Sequence, residues 1–191
     1  EFKTPLTSIL MGIDLLMNER LGGITQEQKD VSLAIREDCE RLSALVNDIL
    51  QLSRIESGQS VFRFAPCSIS AIADGIFRQY NLLAAQRQVQ LEMDVDEELP
   101  PIRADAETIR WVLSNLVSNA LKCTNAGDTI RISAVREGGH LLVSVHDTGI
   151  GIPEEYRERI FDRFFQGGEN MPEVRGTGIG LSVSREIVRQ H

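Results

Sequence analysis

Asn115, Asn119 and Lys122 stand at i, i+4 and i+7, a spacing that puts two amides and an ammonium on one face of a helix. Such a face is costly to bury without partners. An amide oxygen suits a hard cation such as Mg²⁺, which keeps waters and takes further oxygens from phosphates. The ammonium can meet a phosphate as a point charge. Further along, the apolar run from Leu142 ends at Asp147 and breaks on Thr148-Gly149-Ile150-Gly151-Ile152-Pro153. A carboxylate at a strand end is placed to accept a hydrogen bond, and the exocyclic amine of adenine is such a donor. Gly149 and Gly151 let the chain turn sharply and let a flat ligand lie against the backbone. A third cluster, Gly176-Thr177-Gly178-Ile179-Gly180-Leu181, stands before a helix. Glycine amides and a helix N-terminus together make an anion site. The spacing is Gly-x-Gly-x-Gly, so neither a dinucleotide-binding turn nor a P-loop fits.

These groups need elements to position them. The periodicity predicts a helix over Phe2 to Leu21 with Leu6, Ile9, Ile13 and Leu16 on its apolar seam, bent or started by Pro5. Gly22-Gly23 breaks it. Thr25-Gln26-Glu27-Gln28 is a capping box opening a second helix to about Ser57, with Ile35, Leu42, Leu45, Ile49 and Leu52 on its seam. Asp38 interrupts that seam and reads as a register-setting polar position. Two such helices make an antiparallel hairpin that buries only one stripe, so a dimeric four-helix bundle is expected.

The pattern then changes. A short strand is expected at Val61 to Phe64, and Ser68 caps a helix to about Gln86 with Ile69, Ile72, Ile76 and Leu83 inward. Val89 to Val95 and Ile102 to Ala104 are extended. Asp105 caps the helix that carries the Asn face. Thr129 to Arg136 and His140 to Asp147 flank a glycine hairpin turn. Glu154 to Phe161 reads as a helix, Gln166 to Arg175 as a mobile loop, and Ile179 to Arg189 as a last helix. The class is α+β: residues 1–58 form the helical hairpin and residues 59–191 form a mixed sheet with helices.

Composition limits the partners. The chain has 191 residues, 42% of them hydrophobic, with 20 basic and 28 acidic residues and a net charge of −8. That balance weighs against nucleic acid as a partner. Cys39, Cys67 and Cys123 are odd in number and widely spaced, which fits free thiols in a reducing compartment. No apolar run is long enough to span a bilayer and no signal peptide is visible. His140, His146 and His191 read as surface or packed histidines.

Taken together, the motifs resemble the sensor histidine kinases of two-component systems. Asn115…Asn119-Ala120-x-Lys122, Asp147-Thr148-Gly149-Ile150-Gly151, Phe161-x-x-Phe164-Phe165 and Gly176-Thr177-Gly178-Ile179-Gly180 look like that family's N, G1, F and G2 boxes. The opening, Glu1-Phe2-Lys3-Thr4-Pro5-Leu6, looks like its phosphoacceptor box. The resemblance implies a dimeric hairpin followed by an α/β sandwich of the GHKL ATPase type. It implies a kinase using ATP and Mg²⁺, a response-regulator receiver domain as partner, and the cytoplasmic part of an inner-membrane sensor.

Carried over by position, Asn119 binds the metal, with Asn115 and Lys122 helping to hold metal and phosphates. Asp147 accepts from adenine, and Gly149 and Gly151 shape that pocket. Gly176, Thr177, Gly178 and Gly180 close over the phosphates, and Phe161, Phe164 and Phe165 anchor the lid. Glu1 takes the proton from the attacking histidine, and Thr4 positions a water for the reverse phosphatase step.

The chain also departs from the pattern. The acceptor histidine is expected just before Glu1, and two further strands are expected after His191. Gln166 stands where the family often has a basic residue, and Cys123 where an aromatic is common. Two rivals compete with the kinase reading: a GHKL ATPase acting as a conformational clamp, and an inactive dimerisation and docking module.

Overall fold

The computed structural model describes residues 3–18, 22–56, 62–96, 98–168 and 176–191. It divides into two units, Glu1–Arg54 and Ile55–His191. Glu1, Val61 and most of the Gln166–Arg175 segment lie outside the described residues.

The first unit is built on helices α1 (Lys3–Met17) and α2 (Gln26–Glu56). Pro5 lies within the described part of α1, which runs from Lys3 to Met17. The capping box at the head of α2 is closed in both directions. Gln28 N–H donates to Thr25 Oγ1 at 3.2 Å, and Thr25 N–H donates to Gln28 Oε1 at 2.9 Å. Leu6, Ile13, Ser32 and Cys39 are buried in this unit. Leu6 with Cys39, and Ile13 with Ser32, stand equally far along the chain from Gly22-Gly23, as facing positions of an antiparallel hairpin do. Much of the expected seam is open: Ile9, Leu16, Ile35, Leu42 and Ile49 are exposed, and Leu45 is half-buried. The hairpin thus buries one stripe and leaves a second uncovered.

The second unit is a mixed α/β fold. Strand β1 (Ala65–Cys67) pairs antiparallel with β3 (Ile102–Ala104), with Ala65 opposite Ala104. The expected strand at Val61 to Phe64 is therefore displaced toward the C-terminus. Pairing with β3 begins only at Ala65, and Phe62 and Phe64 instead pack as rings on His191. The main sheet has the order β2 (Gln90–Val95), β4 (Thr129–Glu137), β5 (His140–Asp147), with β2 parallel and β5 antiparallel to β4. Helices α3 (Ile69–Gln86) and α4 (Ala106–Cys123) carry the side chains that fill the core. Ile69, Ile72 and Ile76 from α3 meet Leu113, Val117 and Leu121 from α4 and Ile130 and Ile132 from β4 in one buried cluster. Leu83 does not join it. At 40% exposure it lies outward, and Ala84 takes the buried position.

Caps fix both helix starts. Ser68 Oγ accepts the Ala71 N–H, and Asp105 Oδ1 accepts the Glu107 and Thr108 N–H groups. The helix expected over Glu154 to Phe161 is replaced by two 3₁₀ turns, Glu154–Tyr156 and Arg159–Phe161. Their bonds run from Arg157 N to Glu154 O and from Asp162 N to Arg159 O, the i+3 pattern of a segment too short for a stable α-helix. The last helix, α5, spans Gly180–Gln190. Among the described residues, no helix is long and apolar enough to cross a membrane.

Candidate nucleotide site

The register of the sheet decides where Asp147 points. It pairs with fully buried Ile130, and strand alternation puts its side chain on the helix-facing side with Val145 and Val143. His146, one residue before, falls on the opposite face beside Arg131. Asp147 is half-buried, and its Oδ1 accepts the Gly149 N–H at 3.0 Å, which closes the turn after the strand. That turn is pressed on the C-terminal end of α4. Ile150 N–H donates to the Cys123 carbonyl at 3.0 Å. A Cβ on Gly149 would strike that same carbonyl, so no larger residue fits.

The thiol of Cys123 reports how close these groups are. Burial pushes it above its ordinary range, the Asp147 carboxylate pushes it the same way, and the Lys122 ammonium pulls it back. Sequence reasoning offered no account of Cys123. Its backbone carbonyl turns out to hold the strand-end turn in place, and no side-chain pattern announces a backbone contact of that kind.

The turn is braced from the other side as well. Thr148 Oγ1 donates to Asp128 Oδ1 at 2.9 Å and accepts the Thr129 N–H at 3.0 Å. Asp128 Oδ2 accepts the Asn125 N–H at 2.7 Å. This brace was also unforeseen, although Asn125-Ala-Gly-Asp128 carries the turn chemistry that could have shown it.

Along α4 the three polar residues have different fates. Asn115 Nδ2 donates to Ser184 Oγ on α5 at 2.9 Å, and its Oδ1 lies against Gly180, where a Cβ would collide with it. Asn119 is half-buried, and its side chain has no hydrogen-bond partner among the described residues. Lys122 is exposed. Near the start of α5, Thr177 Oγ1 accepts the Ile179 N–H at 3.3 Å, and Gly178 (φ +69°) accepts the Phe164 N–H at 2.7 Å. The phenylalanines differ too. Phe161 lies under the Arg185 guanidinium at 5.5 Å and Phe165 under Arg159 at 5.0 Å. Phe164, with φ +63°, is 66% exposed. Gly151 takes φ +69°, and Gly176 is half-buried.

Asp147, Gly149 and Cys123 thus form one group, and Asn115, Gly180 and Ser184 another. Both are built on α4. Thr4 is exposed in the first turn of α1, in the other unit. No cluster of three or more His, Cys, Asp or Glu able to hold a metal occurs among the described residues.

Comparison with known proteins fits this arrangement. Residues 1–58 match the family described as His Kinase A (phospho-acceptor) domain. Residues 104–191 match the family described as Histidine kinase-, DNA gyrase B-, and HSP90-like ATPase. The chain belongs to the sensor histidine kinases. It carries the two modules of a histidine kinase core, a helical region and a GHKL-type ATP-binding domain.

Over its full length this kinase core is 34% identical to the circadian input-output histidine kinase CikA of Synechococcus elongatus, covering 26% of that protein. It is 32% identical to the alginate biosynthesis sensor protein KinB of Pseudomonas aeruginosa, again over its full length, covering 32% of that protein. It spans about a quarter to a third of these two relatives. Among solved structures it resembles full-length ShkA in complex with AMPPNP, with a TM-score of 0.75 and 30% identity over 99% of this chain and 39% of that one. It also resembles the histidine kinase ThkA in complex with the response regulator TrrA, with a TM-score of 0.66 and 26% identity over 97% of this chain and 51% of that one.

Proposed function

We propose that this chain is the catalytic core of a protein-histidine kinase that phosphorylates a histidine on its own hairpin and passes the phosphoryl group to a response-regulator aspartate. A hydrolytic phosphatase step is part of the same reading. The observation that carries it is the pairing, in one chain, of a phosphoacceptor-type hairpin with a GHKL ATP-binding domain. A conformational-clamp ATPase has no use for that hairpin. We assign residues 1–58 to the dimerisation and phosphoacceptor domain and residues 59–191 to the ATP-binding domain.

Asp147 accepts the adenine amine, and Gly149 and Gly151 give the base a flat floor. The ordered Asp147-Gly149-Cys123 turn supports this assignment, because it aims the carboxylate toward the helix layer before any ligand arrives. Gly176, Thr177, Gly178 and Gly180 lie over the phosphates at the head of α5, and Asn115 and Lys122 support them from α4.

Asn119 fits a bound Mg²⁺. It presents a half-buried amide without a hydrogen-bond partner among the described residues, and this cation binds through few protein ligands with the rest of its shell from phosphates and water. The ion would supply charge neutralisation on the phosphate oxygens.

In the reaction, an imidazole nitrogen attacks the γ-phosphorus and forms the new P–N bond. The bond to the β–γ bridging oxygen breaks, and ADP leaves. Glu1 takes the proton from the other ring nitrogen. Thr4, three residues further along the chain, positions water for the hydrolytic step. Catalysis is mainly positioning and charge stabilisation.

The partners follow from the same reading: a second copy through the hairpin, and the receiver domain of a response regulator, as the complex of ThkA with the response regulator TrrA suggests. The core sits in the cytoplasm beneath an inner-membrane sensor. The test compares two proteins incubated with γ-labelled ATP, one beginning at Glu1 and one with a histidine before it, both extended past His191. Acid-labile, base-stable label is expected only in the second. Equal labelling would move the acceptor elsewhere. ATP binding without labelling in either would favour the docking module.

A further inference from the structure

His191 closes α5, and backbone groups engage both of its ring nitrogens. Nδ1 lies 2.9 Å from the Ile187 carbonyl, which can only accept. Nε2 lies 3.1 Å from the Asp105 N–H, which can only donate. Together they specify one tautomer, with the proton on Nδ1.

Two aromatic rings complete the cluster. Phe62 meets the imidazole edge-on, with centroids 5.1 Å apart and planes at 80°, and Phe64 lies at 4.9 Å. Asp105 holds the same segment a second time, because its Oδ2 accepts the Arg63 N–H at 2.8 Å. Residues 62–64 are therefore pinned through their backbone by the N-cap of α4 and through their rings by the end of α5. In the chain they come soon after the boundary between the two units at Arg54 and Ile55. The nucleotide groups stand at the other end of α5, about 16 Å away at 1.5 Å per residue.

We propose that His191 is a positioning residue for phosphoryl transfer: it seats residues 62–64 on the α4 cap and fixes where the ATP-binding unit is attached. The inference rests on the kinase reading above. A unit that must be delivered to a histidine on another part of the chain searches fewer orientations when its point of attachment is fixed. Releasing that point slows transfer and leaves ATP binding alone. Plain packing is the competing account. It predicts a lower thermal midpoint, with ATP affinity falling in step with rate.

The test uses the protein with a histidine before Glu1, extended past His191. Autophosphorylation rate and ATP affinity are measured for His191→Ala, Phe64→Ala, the double variant and His191→Gln. Each alanine variant is expected to slow labelling roughly 5- to 20-fold with ATP affinity within twofold of the parent. The double variant is expected to be no slower than the slower single, since both release one clasp. His191→Gln, whose Oε1 can still accept the Asp105 N–H, is expected to recover part of the rate. An unchanged rate in His191→Ala, multiplying effects in the double variant, or affinity falling in parallel with rate would overturn the inference while the parent still labels. A parent that binds ATP and does not label would overturn the kinase reading, and this inference with it.

Discussion

In the proposed site Asp147 has two duties for one carboxylate. Oδ1 accepts the Gly149 N–H, and Oδ2 would take the ligand. Asp147→Asn separates them, because an Asn oxygen can keep the turn while its NH₂ opposes the adenine NH₂. ATP affinity is expected to fall by about 1–3 kcal/mol, roughly 5- to 150-fold, with little change in thermal midpoint. Titration calorimetry together with a melt checks both halves, and an unchanged affinity would move adenine away from Asp147. At this scale the sequence was legible where a side chain carries the chemistry: Asp147, Asn115 and the capping residues all stand out by type and spacing. It was silent on Cys123, whose carbonyl rather than its thiol positions the turn, and on His191, whose partners are backbone groups far away in sequence.

Helices and their caps were the most readable elements. Thr25, Ser68 and Asp105 each announce a helix start through a side chain that accepts a backbone N–H. What failed had two causes, a pairing partner distant in sequence and a segment too short for a stable α-helix. The first strand begins at Ala65 because β3 is there to pair with it, and the residues before Phe161 coil in 3₁₀ turns rather than an α-helix.

Asp105 makes the cap testable by pH. Burial alone would raise its carboxyl, but the N–H groups of Arg63, Thr108 and Glu107, with nearby His191, outweigh burial and hold it below the ordinary carboxylate range. A value lower in the folded than in the unfolded state stabilises above the unfolded pKa, about 4, and that stabilisation is lost as pH falls through the folded value. Asp105→Ala is expected to cost about 0.5–2 kcal/mol near neutral pH. Urea titrations should show the gap to the parent shrinking below about pH 4.

The open stripe on the hairpin is the other element-scale test. Leu42→Glu on residues 1–58 should convert a dimer to monomer or unfolded chain by sedimentation, since a charge would replace an apolar contact along the whole seam. A folded monomer in the unsubstituted hairpin would count against the bundle.

For the whole molecule, the division at Arg54 and Ile55 separates two units with different sources of stability. The hairpin has a narrow buried stripe and an exposed one. The second unit has its own closed core. Calorimetry of the complete chain is expected to resolve two transitions. Raising ATP should move only the one that belongs to residues 55–191, by mass action, and raising protein concentration should move only the hairpin's. A single transition shifted by both would mean that the units unfold as one. The sequence changes its hydrophobic period near Ser57, a few residues past that division, from helical seams to alternating strands.

Asp38 lies exposed between Ile35 and Leu42 on the uncovered face of α2. If the proposed dimer forms through this face, it buries a carboxylate at a position that an apolar side chain would fill more cheaply. The self-pair would then be weaker than its seam allows, and so easier to take apart. Asp38→Leu is expected to tighten the homodimer, as sedimentation over a range of concentrations would show.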